Sequence, residues 1–541
     1  MSRSDLCSMA HIIDPKNIIS VTLSDEIQTP GQIRLFLIHF QIDQFIRLRS
    51  LNLVKVNFKD FDQFQKHIIK CQLTTLSITL CDYYQKDPTA LISSLISHNN
   101  LRKFEYIGNY NILHKIRWPT QCRLIHVIIG HYNFNVLCST IVHLPYLQTL
   151  VVKDIFSVTP VVTVDRYDGF PQLSHLTSLS LNMSCNILMA DIESVLSFLP
   201  TLTHLQLMSE DRLLDTRLFN GSCWENFIQA KLPLLSKFEF CFIRIAITDP
   251  DCITVESVIA SFRTPFWLEI KRWILKCHYE YDKYYPKYHL YSIPIIRDNF
   301  DYPGQRSMIR HSASNTTDND AALIVNAHRL TVDLSQIMGQ AIPDKANATM
   351  PYLFPNVTEL KIVINETWSA SLVKHLYKII TLWNLETLWL DFQCERMSTV
   401  NLSIEMNTLL KLASNIRSIK ISCNKSERMK MVTFNAICLK LPHHIKRLDT
   451  DIIHVADAKT LLKHAQHLKS VTFRTIDPWH FVHEIDLWLW QMKINTVYQV
   501  DAIRLRHYDD FEPNNVIHLW LGKTDNQQSN ISQSHKRIKR Y

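Results

Sequence analysis

Glycine is nearly absent: the chain of 541 residues contains 8, where average usage near 7% would give about 38. Gly31, Gly108, Gly130, Gly169, Gly221, Gly304, Gly339 and Gly522 all lie far apart. Phosphate-binding loops, dinucleotide fingerprints and the G-x-S-x-G elbow each need neighbouring glycines so that backbone can approach a ligand closely. Those nucleotide and hydrolase readings therefore have no foothold. No stretch offers the about 18 uninterrupted apolar residues of a membrane span, and the opening MSRSDLCSMAHIIDPKN lacks the apolar core of a secretory signal. No membrane partner is expected, and the chain is expected in the cytoplasm or the nucleus. No CxxC pair occurs among the 13 cysteines, so neither a zinc ribbon nor a disulfide scaffold is suggested. A dense stripe of one charge is missing too. Lys and Arg total 58 against 50 Asp and Glu, and a net +8 thinly spread argues against nucleic acid as the main partner.

What the chain has in abundance is one phrase, apolar-x-x-apolar-x-apolar. It begins at Leu48, Leu73, Leu101, Leu124, Leu147, Leu176, Leu202, Leu235, Val357, Leu385, Ile416, Ile445 and Leu468, thirteen copies spaced 23 to 33 residues apart with one long gap, the Ile445 copy carrying Thr450 in the last apolar place. In Leu147-Gln148-Thr149-Leu150-Val151-Val152, the alternation of Leu150 and Val152 is the period-2 mark of a strand with one buried face. Ahead of several copies apolar residues recur at helical spacing, as at Ile192, Val195, Leu196 and Leu199, and at Leu372, Leu376, Ile379 and Leu382. Helix, turn, strand is thus the unit. Such a unit buries both elements only by stacking on its neighbours, so the strands should run parallel in sequence order. Strands stack about 4.8 Å apart and helices about 10 Å, so the stack should curve with its strands inside. The expected fold is an α/β solenoid, a horseshoe with a parallel inner sheet and outer helices.

The phrase resembles the leucine-rich repeat, L-x-x-L-x-L-x-x-N/C-x-L, with the N/C position filled by Cys81, Asn109, Asn365 and Asn424. The wandering spacing favours the irregular, helix-containing kind. Between Phe240 and Val357 the rhythm breaks. Pro265 to Tyr291 reads as two long strands joined by a Tyr/Lys turn, and Asp298 to Asp320 as a surface loop. The expected organisation is a repeat half over 1–244, an irregular segment over 245–326, a second repeat half with a cap over 327–522, and a disordered basic tail over 523–541. Within the cap, strands are expected at Ala502 to Tyr508 and Val516 to Leu521.

Strand alternation also selects the residues facing away from the core. Thr149, Ser178, Ser180, His204, Gln206, Lys237, Glu239, Glu359, Lys361, Thr387, Trp389, Asp391, Lys420 and Arg447 should line the hollow of the horseshoe. This mixture of charges, hydroxyls and one tryptophan suits a protein partner better than a phosphate backbone. Trp383, Trp488, Trp490 and Trp520 are expected mainly to fill core or edge. The pairs His464/His467 and His480/His483 fit no zincin spacing, so no metal, cofactor or catalytic residue is expected and the chain is read as non-enzymatic.

Ser20–Leu35 (SVTLSDEIQTPGQIRL), Thr264–Trp273 (TPFWLEIKRW) and Asn515–Trp520 (NVIHLW) are similar to phrases in the leucine-rich-repeat portion of F-box proteins. That resemblance implies a scaffold whose repeats hold a protein substrate while an F-box binds the Skp1 adaptor of a ubiquitin ligase. Residues 1–19 carry no L-P-x-E-I-L phrase, so a Skp1-like adaptor is implied only with an F-box upstream. The alternative is a nuclear or nucleic-acid-associated protein using the tail His535-Lys536-Arg537-Ile538-Lys539-Arg540 and the Lys/Tyr hairpin.

Overall fold

The computed structural model describes residues 14–25, 32–40, 44–56, 60–61, 68, 71–80, 89–98, 100–108, 115–116, 118–119, 122–156, 175–184, 186–245, 254–281, 286–293, 299–302, 308–316, 327–333, 354–364, 376, 379–393, 406, 408–423, 441–452, 454–475, 478–492, 496–503 and 514–521. The chain divides into two compact units, Arg3–Val357 with Tyr377–Thr381, and Thr358–Leu376 with Leu382–Tyr541.

In the first unit the strands β1 (Ser20–Ser24), β2 (Ser50–Val56), β3 (Thr75–Leu80), β4 (Lys103–Ile107), β5 (His126–Asn133), β6 (Thr149–Phe156), β7 (Ser178–Met183), β8 (His204–Arg212) and β9 (Lys237–Ile245) lie side by side in sequence order. Each is parallel to the next. A parallel neighbour requires a crossover connection. Helices supply several of them: α1 (Gln32–His39), α2 (Thr89–His98), α3 (Phe134–Val142), α4 (Met189–Leu196) and α5 (Gly221–Lys231). Why α4 starts where it does is visible locally. Asp191 accepts from the Leu188 backbone N–H at 2.8 Å and Asp215, from the following repeat, accepts from Met189 N–H at 2.7 Å. Both satisfy amides that a helix start leaves open, while Ile192, Val195 and Leu196 turn inward at 3% exposure or less.

All thirteen phrase-opening residues are buried at 2% exposure or less. At each step the carbonyl of the residue just after that opening position accepts two amides from the next repeat. Thr177 O, for example, accepts from Thr203 and His204 N–H at 2.9 Å each, and Arg417 O accepts from Lys446 and Arg447 N–H at 2.8 and 3.0 Å. Both lone pairs of one oxygen are used, which keys each repeat to its predecessor. Hydroxyls reinforce the same edge, Thr203 Oγ1 donating to Thr177 O at 3.0 Å and Ser236 Oγ to Thr203 O at 3.0 Å.

The first stack ends on aromatic rings. Phe238, Phe240 and Phe242 of β9 pack on Trp224, Phe262 and Trp267, with centroids of Phe238–Trp224 at 5.0 Å and Phe240–Phe262 at 6.3 Å. Beyond β9 the pairing turns antiparallel. After α6 (Val255–Ala260), β10 (Leu275–Tyr281) and β11 (Pro286–Ser292) form a hairpin in which β11 lies on β9. The expected strand over Pro265 to Tyr291 is thus only partly strand. Phe266–Ile270 is a π-helical turn with Phe266 and Trp267 buried, because packing two large rings inward overrides their β preference. The expected loop at Asp298 to Asp320 also needs correction: β12 (Asn299–Tyr302) pairs in parallel with β14 (Arg329–Asp333), and β13 (Met308–Ser314) runs antiparallel to β10. Polar composition hid strands whose backbone is satisfied by pairing.

In the second unit β15 (Glu359–Ile364), β16 (Thr387–Phe392), β17 (Ser418–Cys423), β18 (Arg447–Asp451) and β19 (Ser470–Thr475) repeat the parallel ladder. Helix α7 (Val455–His464) joins β18 to β19, and α8 (Pro478–Gln491) leads to the antiparallel β20 (Thr496–Ile503) and β21 (Asn514–Leu521). The first capping strand therefore lies earlier than Ala502 to Tyr508. Trp383 and Trp490 are 66% and 71% exposed, against the expectation of core or edge filling. In α8 the buried stripe is Phe481, Ile485 and Leu489, a spacing of four that leaves Trp490 on the solvent side. Cys81, Asn109, Asn365, Asn424, Leu372 and the tail 523–541 fall outside the described residues, while Leu376, Ile379 and Leu382 are buried. Among the described residues no helix is long and apolar enough to cross a membrane.

Candidate interaction surface

The fourteen residues selected by alternation all sit at or beside strand positions opposite to the buried columns, and they form two patches, one in each unit. In the first unit Thr149, Ser178, His204 and Lys237 are successive register partners, and so are Val151, Ser180, Gln206 and Glu239. Ser180 Oγ donates to Gln206 Oε1 at 2.6 Å. Ser178 Oγ lies 3.4 Å from His204 Nδ1, and His204 Nε2 lies 2.8 Å from Glu239 Oε2. Hydroxyl, imidazole and carboxylate in series invite a nucleophile reading, but two features oppose it. The Glu239 carboxylate is already paired with Lys237 at 2.6 Å, and the Ser178 and His204 amides are spent on the ladder where an oxyanion would need donors. The series is a charge-balancing network. Burial pushes the Glu239 carboxyl up, yet hydrogen bonds from His204 and Lys237 outweigh it and hold the group below the ordinary glutamate range.

In the second unit Glu359, Thr387, Ser418 and Arg447 form one row, and Lys361, Trp389, Lys420 and Asp449 the next. Trp389 is half-buried and is the centre of the patch. Its Nε1–H donates to Ser422 Oγ at 2.8 Å, and Ser422 Oγ donates to Asp391 Oδ1 at 2.8 Å. The Lys361 ammonium stands 4.2 Å from the indole centroid and the Lys420 ammonium 5.5 Å, within the range of cation–π attraction. Lys361 also pairs with Asp391 at 2.9 Å and Lys420 with Glu359 at 3.2 Å. Indole, two cations and two carboxylates thus hold one another, leaving a fixed ring edged by matched charge.

Ser422 was not among the residues singled out in the sequence, although it continues the same alternation. The phrase spans two outward positions per strand, whereas the strands run on for a third. Four further contacts lie on these faces. Arg474 donates to Asp449 and Asp451 at 2.8 and 2.7 Å, Lys153 pairs with Glu105 at 3.4 Å, and His131 Nδ1 lies 2.5 Å from Asp154 Oδ2. The bond to Asp154 raises the His131 pKa, with burial opposing it. A raised imidazole pKa means the pair contributes fully below the free value near 6.5 and fades as pH climbs through the folded one. An NMR titration of His131 should show a midpoint above that of a free histidine, and Asp154→Asn should bring it back down. A midpoint unmoved by the substitution would contradict the pairing.

The expected histidine pairs do not close a site. His464 Nδ1 lies 2.8 Å from Thr460 O, His480 and His483 are exposed, and the described residues contain no group of three metal-ligating side chains.

No family model matches the chain, and no curated protein matches it either. Among solved structures, a leucine-rich-repeat protein of Leptospira interrogans is similar at 12% identity, covering 86% of this chain and 98% of that one, with a TM-score of 0.26. A likeness so loose carries no weight beside the strand ladder, which by itself establishes a stack of parallel repeats.

Proposed function

We propose that this chain is a non-enzymatic scaffold that binds a protein partner through the outward faces of its strand stacks, with Trp389 as the anchor. The observation that carries this reading is the immobilised indole. A half-buried ring fixed by Ser422 and flanked by Lys361 and Lys420 loses little freedom on binding, and aromatic anchors surrounded by satisfied polar groups dominate protein interfaces. The curvature expected from narrow strands and wide helices would make each face concave. Cys122, Cys223 and Cys277 are free thiols among the described residues, which supports a reducing cytoplasmic or nuclear setting. The ligase version of the reading, with the repeats presenting a substrate beside a Skp1-like adaptor, rests on the F-box resemblance alone.

One capture experiment addresses both levels. Proteins retained by the full chain should be lost or weakened about 30-fold by Trp389→Ala, the size of an interface hot spot near 2 kcal/mol, and only partly by Trp389→Phe, which keeps a ring and drops the Nε1 bond. Retention unchanged in Trp389→Ala removes the anchor. A Skp1-like adaptor in the retained set supports the ligase version, and its absence with the full-length transcript product rejects it.

A further inference from the structure

On the outward face of the second unit Lys361, Lys420 and Arg474 are each matched by a carboxylate. The edge where the strands begin differs. Arg417, Lys446 and Lys469 are the residues just before β17, β18 and β19, and the backbone ladder stacks them directly, Lys446 N–H on Arg417 O at 2.8 Å and Lys469 N–H on Lys446 O at 2.7 Å. Neighbouring strands lie about 4.8 Å apart, so three cations stand in one column at that step. Like charges placed side by side across strands oppose folding. Among the described residues no carboxylate touches any of the three. Arg417 donates to the carbonyls of Ser414 and Ile416, Lys446 to that of His443. Glu386, the next residue along the column, gives Arg417 its backbone carbonyl and no ion pair.

Three histidines belong to the same edge. His443 and His444 precede Lys446, His467 precedes Lys469, and the His443 and His467 rings meet edge to face at 4.8 Å. Among the described residues His444 Nε2 and His467 Nε2 are both closed off from solvent without a hydrogen-bond partner, a cost that native proteins normally avoid. Burial and then Arg417 and Lys446 push the His444 pKa down, and burial and then His443 and Lys446 do the same to His467. The surroundings of these rings are therefore net positive, with only a backbone hydrogen bond to Pro442 opposing the shift at His467.

We propose that this ledge of Arg417, Lys446 and Lys469 with its neighbouring histidines is a binding site for a phosphate group. A phosphate oxygen accepts charge-assisted hydrogen bonds at about 2.7–2.9 Å, and its tetrahedral oxygens can bridge cations separated by one strand step. The site lies at the strand starts and does not depend on Trp389.

Calorimetric titration of the full chain with inorganic phosphate at about 150 mM salt, where distant charges are screened, tests the proposal. Saturable binding is expected, weakened at least tenfold by Lys469→Gln, whose side chain makes no bond among the described residues, and likewise by Lys446→Gln. Lys463→Gln, exposed on α7, should bind like the parent. Absence of saturable binding, or equal loss in all three variants, overturns the site. A phosphoserine peptide binding more tightly than phosphate itself would assign the group to a protein partner, and equal affinity would assign it to a free phosphate compound.

Discussion

Leu179→Ala is expected to destabilise the first unit by about 2–5 kcal/mol. Leu179 is fully buried and lies between its register partners Leu150 and Leu205, themselves 1% and 0% exposed. Removing its isobutyl group opens a cavity that both neighbouring repeats share, and repeat proteins draw their stability from such nearest-neighbour contacts. Ser180→Ala, one residue along and facing outward, should cost no more than about 1 kcal/mol, the worth of its hydrogen bond to Gln206. Urea unfolding of the two variants gives the comparison directly. A loss below about 1 kcal/mol at Leu179, or a larger one at Ser180, would mean that the register is wrong by one residue, since a slip of one exchanges the two faces.

Gly221→Ala should also destabilise, by about 1–3 kcal/mol, although helix propensity argues the other way. Gly221 opens α5, and replacing glycine by alanine in a helix is worth up to about 1 kcal/mol in favour of the helix. The tertiary structure reverses that sign. A Cβ at this position would collide with the Ser261 carbonyl oxygen and would stand 2.6 Å from its carbonyl carbon and 2.8 Å from Phe262 Cγ. The Gly221 amide meanwhile donates to Ser261 Oγ at 2.8 Å. Backbone cannot retreat as a flexible side chain would, so α5 or the segment at Ser261 must shift. Thermal unfolding that leaves Gly221→Ala as stable as the parent would show that the two segments are not so closely seated. In a chain with so few glycines, this one is retained for close approach.

Much of this was legible in one dimension, because the strand repeat imposes period 2 and each phrase carries its own register. Trp389 could be placed outward from Leu388 and Leu390 alone, both fully buried. Other features were not legible. Phe266–Ile270 has the composition of a strand, and only the need to seat Trp267 against Phe238 and Phe262, with Phe266 against Trp267 and Trp273, turns it into a helical coil. Met308–Ser314 has the composition of a loop, and only the open edge of β10 makes it a strand. Ser422 has an unremarkable hydroxyl until Trp389 and Asp391 arrive on either side of it.

The sequence by itself determined which side chains enter the core and which face away, since hydrophobic alternation is a local property that every repeat states again. Tertiary structure decided which charges find partners. Lys420 meets Glu359 from 61 residues away across the intervening Trp389 strand, and Arg474 meets Asp449 from 25, while Arg417, Lys446 and Lys469 are stacked with no carboxylate of the described residues in contact. Ion pairing depends on how far a side chain reaches over a neighbouring strand, a distance set only once the repeats have stacked.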